Sequence, residues 1–269
     1  MGLRDEVSDM MRRIREGRLP SSEVVVETAF RELGYGPSGP GIETVRLEFN
    51  ERLRQVFEYT LEVLERYEES AYATGIPDEI IASREDAFKK AERVMRRSGD
   101  ARGWLRDAFR TLFAELYPTL RQAFLSISQS RKARGGKDFE LEFGRLLDCA
   151  GVPYQKVSRQ TRTDFMVPSD DTFNSNRNIA LVLSAKRTLR ERWREVAEEL
   201  FNLRSPNVYL ITADDNVSTG HVEQICRRYN IHLVVWDRLK ESGFRDDPLV
   251  LGYSELLNGV IPTFESRWR

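Results

Sequence analysis

The 269 residues carry 42 Lys and Arg against 43 Asp and Glu, giving a formal net charge of −1 and a pI of about 6.3. The 40% hydrophobic content, with 14 Phe, 9 Tyr and 4 Trp, is enough for a buried core and excludes global disorder. There is no run of about 20 apolar residues for a membrane span, and Met-Gly-Leu-Arg-Asp-Glu lacks the apolar stretch of a secretory signal, so a soluble cytoplasmic protein is expected.

Residues 1 to about 125 read as helical throughout. Met10, Met11 and Ile14, then Val24, Val25, Ala29 and Leu33, give short amphipathic stretches, the second opened by Pro20-Ser21-Ser22. Gly34-Tyr35-Gly36-Pro37-Ser38-Gly39-Pro40-Gly41 reads as a loop. Val45, Phe49, Leu53, Val56, Phe57, Leu61 and Leu64 then predict a long helix. Trp104–Tyr117 predicts another, with Leu105, Phe109, Leu112, Phe113 and Leu116 as its apolar stripe. A boundary is expected near Ser126–Ser130, dividing a helical region 1–125 from a second domain 126–269. The cationic run Arg131-Lys132-Ala133-Arg134-Gly135-Gly136-Lys137 reads as a solvated loop or Gly-rich turn.

The second half changes character. Phe139, Phe143, Leu146, Leu147 and Ala150 form a helical face ended by Gly151-Val152-Pro153. Strand-like runs follow at Thr163–Val167, Ile179–Leu183, Val208–Thr212 and Ile231–Trp236, with helical patterns over 189–203 and 217–229 between them. This alternation predicts an α/β domain, a central mixed or parallel sheet covered by helices on both faces.

The chemistry concentrates around the second of these strands. Asp164 opens one strand and Lys186 ends the next, while alternation puts Val182, Ser184 and Lys186 on one face. Magnesium-dependent phosphodiester cleavage needs carboxylates for the ion and a cation near the attacking water or the scissile phosphate. Two cysteines (Cys149, Cys226) and two histidines (His221, His232) argue against a zinc site instead. An acid is expected two residues before the lysine, but Ser184 stands there. The following helix, with its stripe Trp193, Val196, Ala197, Leu200 and Phe201, offers Glu198 and Glu199 at the stripe's two edges. Periodicity does not choose between them. Arg190-Glu191-Arg192 opens that helix with residue types suited to guanine and cytosine edges.

The block Ser184-Ala185-Lys186-Arg187-Thr188-Leu189-Arg190-Glu191-Arg192-Trp193, with Asp164 upstream and Glu199 downstream, resembles a group of type II restriction endonucleases. It is the CCGG/CCNGG/CCWGG group, the NgoMIV/SsoII/PspGI/EcoRII-like lineage of the PD-(D/E)xK superfamily, in which one metal carboxylate has moved from the strand to the next helix. The resemblance covers roughly residues 128–240. It implies a PD-(D/E)xK core preceded by a helical N-terminal region that serves dimerisation or embraces DNA. It also implies Mg2+ held by Asp164 and Glu199, Lys186 at the attacking water, and Glu140 in support, with Glu142 competing for that last role. Arg190, Glu191 and Arg192 would read bases, and Gln129, Arg131 and Arg134 would approach the DNA backbone or minor groove. The expected partners are double-stranded DNA and a second copy of the chain, or a higher homo-oligomer, with no membrane. A cognate methyltransferase is expected genetically. The family cuts before the first C and leaves 5′ overhangs. A separate effector domain of the EcoRII type is not expected. The alternatives are a non-specific or structure-specific repair nuclease on the same core, or a DNA-binding regulator that does not cut.

Overall fold

The computed structural model describes residues 2–96, 101–156, 163–189 and 193–268. Twelve α-helices are present among these residues: α1 Leu3–Arg18, α2 Ser22–Glu32, α3 Ile42–Leu47, α4 Phe49–Ser83, α5 Glu85–Met95, α6 Ala101–Cys149, α7 Asp170–Ser175, α8 Trp193–Asn202, α9 Thr219–Val222, α10 Asp237–Gly243, α11 Tyr253–Glu255 and α12 Ile261–Glu265. The strands are β1 Gln155–Lys156, β2 Phe165–Val167, β3 Leu181–Lys186, β4 Val208–Thr212, β5 His232–Val235 and β6 Val250–Gly252. The chain divides into two compact units, Met1–Val25 with Glu62–Arg134, and Val26–Leu61 with Gly135–Arg269.

The first unit is helical. Val7, Met10, Met11 and Ile14 of α1 pack with Tyr72, Ile76 and Ile80 of α4, Ala87 of α5, and Leu116 and Ala123 of α6. Helices α1 and α4 approach closely at Gly75, where a Cβ would stand 2.9 Å from Ile14 Cγ2. Glycine at that point admits the neighbouring helix at the cost of some helix propensity.

The second unit is built on one sheet in the order β1-β2-β3-β4-β5-β6. The β1/β2 and β2/β3 pairs are antiparallel, and β3 to β6 run parallel. Both faces of the sheet are covered, so its central strands are apolar on both sides. On one face Leu181, Leu183, Tyr209, Ile211 and Val234 meet Phe49, Leu53 and Val56 of α4 and Phe139, Phe143, Leu146 and Leu147 of α6. On the other, Val182, Val208, Leu210, Leu233 and Val235 meet Ala197 and Leu200 of α8 and Val222, Ile225 and Cys226. Tyr253 Oη donates to Thr212 O at 2.9 Å, and Trp236 Nε1 donates to Ala213 O at 3.2 Å. These buried bonds fix the end of β4 beside the strand end that carries Lys186.

Several expectations are corrected. The break expected at Ser126–Ser130 lies inside α6, and Val26–Leu61 belongs with the sheet. The cationic run 131–137 is helical too. Arg131 is tied to Glu65 and to buried Glu68, while Gly135 lies against Arg187, so tertiary contacts override the glycines' weak propensity. The long helix predicted from Val45 is interrupted at Glu48. The strand placed at Ile179–Leu183 starts and ends later, and β1 and β6, two and three residues long, gave no periodic signal. Val24 is exposed, and so is Phe201, which lies edge-on to Tyr229. The stripe of Trp104–Tyr117 is not the buried face its spacing suggests, since Leu105, Phe109 and Phe113 are open to solvent.

Candidate active site

The site grows from the β2/β3 pair. Asp164 N donates to Leu183 O at 3.2 Å, extending the antiparallel ladder one residue before β2 and setting Asp164 opposite Ser184. Three donors then converge on a single carboxylate oxygen. Asp164 Oδ2 accepts from Ser184 Oγ at 3.0 Å, from Ala185 N at 2.7 Å and from Lys186 Nζ at 3.1 Å. Ser184 is fully buried, so its hydroxyl serves this contact rather than solvent. Lys186 Nζ also donates to Ala185 O at 3.0 Å, which holds the ammonium at the strand end.

Glu140, on α6, brings a second acid, with Oε1 3.8 Å from Lys186 Nζ. Its carboxyl is pushed up to about 7, first by burial and then by the charge of Asp164, while Lys186 and Lys156 pull the other way. Two carboxylates that repel at the end of β3 favour a cation between them. Glu142 is turned elsewhere: it is buried, its Oε2 takes no hydrogen bond, and burial holds its carboxyl well above the ordinary range beside Thr60.

The helix acids separate as well. Glu198 is exposed and accepts from Tyr229 Oη at 3.3 Å. Glu199 is half-buried on α8, whose Ala197 and Leu200 pack on the sheet face of Val182. Asp164, Ser184 and Lys186 share the parity of Val182, the sheet face that α8 covers. Among the described residues no three carboxylate, imidazole or thiol groups enclose a common point. An open set of hard oxygen donors fits Mg2+, which keeps several waters and takes one or two carboxylates, better than an ion that needs a full protein cage. Asp164 Oδ1 takes no hydrogen bond among the described residues and is the oxygen such an ion would use.

Arg190, Glu191 and Arg192 lie outside the described residues, as do the side chains of Trp193, Glu195 and Val196. The residues leading to them are firmly held. A Cβ at Gly135 would collide with Arg187 Nη1, and the Arg187 guanidinium lies 5.1 Å from the Phe57 ring centroid. Leu189 is buried in the α8 layer, and its N–H donates to Asp214 Oδ2 at 2.8 Å. Asp214 is itself fixed just beyond β4, its N–H donating to Thr212 Oγ1 at 3.1 Å. Neither the Arg187 clamp nor Asp214 was expected from sequence. The Asp-Asp-Asn cluster after Val208–Thr212 was the available sign, because aspartate there commonly bonds nearby backbone. Gln129, Arg131 and Arg134 lie on the part of α6 that belongs to the helical unit, where Arg131 is engaged by Glu65 and Glu68. The structure does not group them with the site.

Residues 104–248 match the family model described as EcoRII C terminal. The chain is similar to the type II restriction enzyme SsoII of Shigella sonnei, 32% identical over 167 residues, which are 58% of this chain and 54% of that protein. The match therefore spans about half the length of that relative. Among solved structures, the chain is similar to metal-depleted Ecl18kI in complex with uncleaved DNA, with a TM-score of 0.82 and 23% identity over 99% of this chain and 86% of that one. It is similar also to a PspGI restriction endonuclease–substrate DNA complex, with a TM-score of 0.57 and 18% identity over 93% and 94% of the two chains. The sheet order and helix layers are those of a restriction-endonuclease core, and the matched region exceeds half of the chain. The protein belongs to the EcoRII C-terminal family.

Proposed function

We propose that the protein is a Mg2+-dependent type II restriction endonuclease. It cleaves double-stranded DNA at a palindromic site with a CCGG or interrupted CC/GG core, before the first C, leaving 5′ overhangs. One observation carries the reading: Asp164 Oδ2 gathers Ser184, Ala185 and Lys186 at the end of β3, in a chain of the EcoRII C-terminal family. The SsoII likeness and the DNA complexes of Ecl18kI and PspGI support the substrate class.

Asp164 and Glu199 would hold the ion, which when bound supplies Lewis acidity at the phosphate. The remaining work falls to the chain. Of the three N–H donors of Lys186, two point to Asp164 Oδ2 and Ala185 O. The ammonium, with Glu140 Oε1 3.8 Å away, would orient the attacking water and offset charge that develops on the phosphoryl oxygens. Glu140 supports the cluster by balancing Lys186. Arg190 and Arg192 would pair with guanine edges and Glu191 with cytosine N4, from a turn held at Leu189. Gln129, Arg131 and Arg134 remain as weaker candidates for contacts to the DNA backbone or minor groove. One such site cuts one strand, so a palindrome calls for two copies related by a twofold axis. The helical unit would contribute to pairing or to embracing DNA.

Digesting DNA of known sequence with Mg2+ and sequencing the ends tests this. Fragments sharing one end sequence within a CC/GG core are expected. Ends of random sequence would replace the reading with a non-specific nuclease, and intact DNA bound at one sequence would replace it with a regulator.

A further inference from the structure

We propose that Arg187 is a positioning residue: its guanidinium, seated against Gly135 of α6 and Phe57 of α4, fixes the chain between Lys186 and the base-reading residues. The proposal rests on the roles assigned above to Lys186 and to Arg190, Glu191 and Arg192, and it adds what holds the two sets in a constant relation.

Lys186 ends β3 and Arg187 follows it, so alternation turns their side chains to opposite faces of the sheet. Lys186 goes with Val182 and Ser184, whereas Arg187 goes with Leu183 and Ala185, toward the layer that holds Phe57 and Phe139. There the guanidinium lies 5.1 Å from the Phe57 ring centroid, and its Nη1 takes the space that a Cβ at Gly135 would need. A planar guanidinium suits such a slot, because it can stack on an aromatic face where an ammonium would not. Glu142, about two turns beyond Gly135 and on the same side of α6, is 2% exposed. Burial raises its carboxyl, and the charge of Arg187 pulls the other way.

The next fixed point lies on the opposite face. Leu189 is buried in the α8 layer, its N–H donating to Asp214 Oδ2 at 2.8 Å, while Thr188 between the two is exposed. The chain leaving Lys186 is thus held first from the α4/α6 side and then from the α8 side, and Arg190 follows directly. The two adjacent glycines of α6 separate this contact from helix geometry. Both lower helix propensity, yet a Cβ at Gly136 would meet nothing within 4 Å, whereas one at Gly135 would displace Arg187.

That contrast supplies the experiment. Gly135→Ala and Gly136→Ala make the same chemical change one residue apart, and circular dichroism should show no loss of helix in either. Gly135→Ala should slow single-turnover cleavage at saturating cognate DNA by roughly tenfold to a hundredfold, the scale on which small misplacements tell. Gly136→Ala should cut at the unaltered rate, and binding in Ca2+, read by gel shift, should persist in both. Arg187→Ala should repeat the loss seen with Gly135→Ala, and should it misfold, the glycine pair still decides. Hydrogen exchange at the Leu189 amide gives a reading independent of cleavage, so it holds even if the unaltered protein cuts no DNA and the function assigned above fails. It should be faster in Gly135→Ala than in Gly136→Ala. Equal cleavage rates or equal exchange in the two alanine variants would overturn the proposal. So would weakened binding with an unchanged rate at saturation, which would make Arg187 a DNA contact.

Discussion

Lys186 Nζ lies 3.1 Å from Asp164 Oδ2, the same oxygen that accepts Ser184 Oγ and Ala185 N. One carboxylate oxygen thus positions the ammonium, and under the proposed chemistry the other would face the metal ion. Under the proposed chemistry, Lys186→Ala should lower single-turnover cleavage by roughly 10²–10³ or more, the loss typical of one preorganised donor. Specific DNA binding in Ca2+, read by gel shift, should persist. Cleavage at the unaltered rate would remove Lys186 from the chemistry.

Ser184 stands where an acid is usual, and burial explains what it does there. Its hydroxyl donates to a carboxylate in a fully buried position, a bond worth about 1.5–3 kcal/mol. Ser184→Ala should therefore lose stability of that order in urea unfolding. Ser184→Asp should be worse than alanine, because it replaces a donor to Asp164 with a second buried acceptor of like charge. An aspartate variant as stable and active as the parent would show that Ser184 does not support Asp164.

Much of this arrangement was legible in the sequence, and the exceptions have physical causes. Val208–Thr212 was placed correctly because buried parallel strands read as continuous apolar runs. Asp164 and Lys186 could be brought together by strand alternation alone. Glu198 and Glu199 could not be separated, since both edge the same stripe, and the contact between Glu198 and Tyr229 comes from a distant segment. The run at 131–137 misled for a related reason. Its glycines signal a break locally, but Gly135 is small to admit Arg187, the residue just after β3, a partner that no local pattern reveals.

Glu140 provides a pH signature. Its carboxyl is raised to about 7 in the folded chain from an ordinary 4.5. Between these values the folded state binds a proton that the unfolded state does not, so the associated stability is present at low pH and is lost as pH rises through about 7. In metal-free buffer the melting temperature of the unaltered protein should fall relative to Glu140→Gln between pH 5.5 and 8. Parallel curves for the two proteins would mean that Glu140 titrates as an ordinary surface acid.

Asp214 offers a way to separate base reading from bond breaking. Its carboxylate accepts the N–H of Leu189, the residue immediately before Arg190, while Asp164 and Lys186 are held by other contacts. Asp214→Ala leaves that buried donor unsatisfied, at a cost of about 1–3 kcal/mol. Because a base pairing is worth about 1–3 kcal/mol only when its geometry is met, loosening the turn should reduce the preference for cognate over singly mismatched duplex by tenfold or more. Cleavage that remains at saturating DNA should still require Lys186. The measurement is the ratio of single-turnover cleavage rates on the two duplexes. An unchanged ratio in a folded Asp214→Ala protein would mean that the turn is held without this contact.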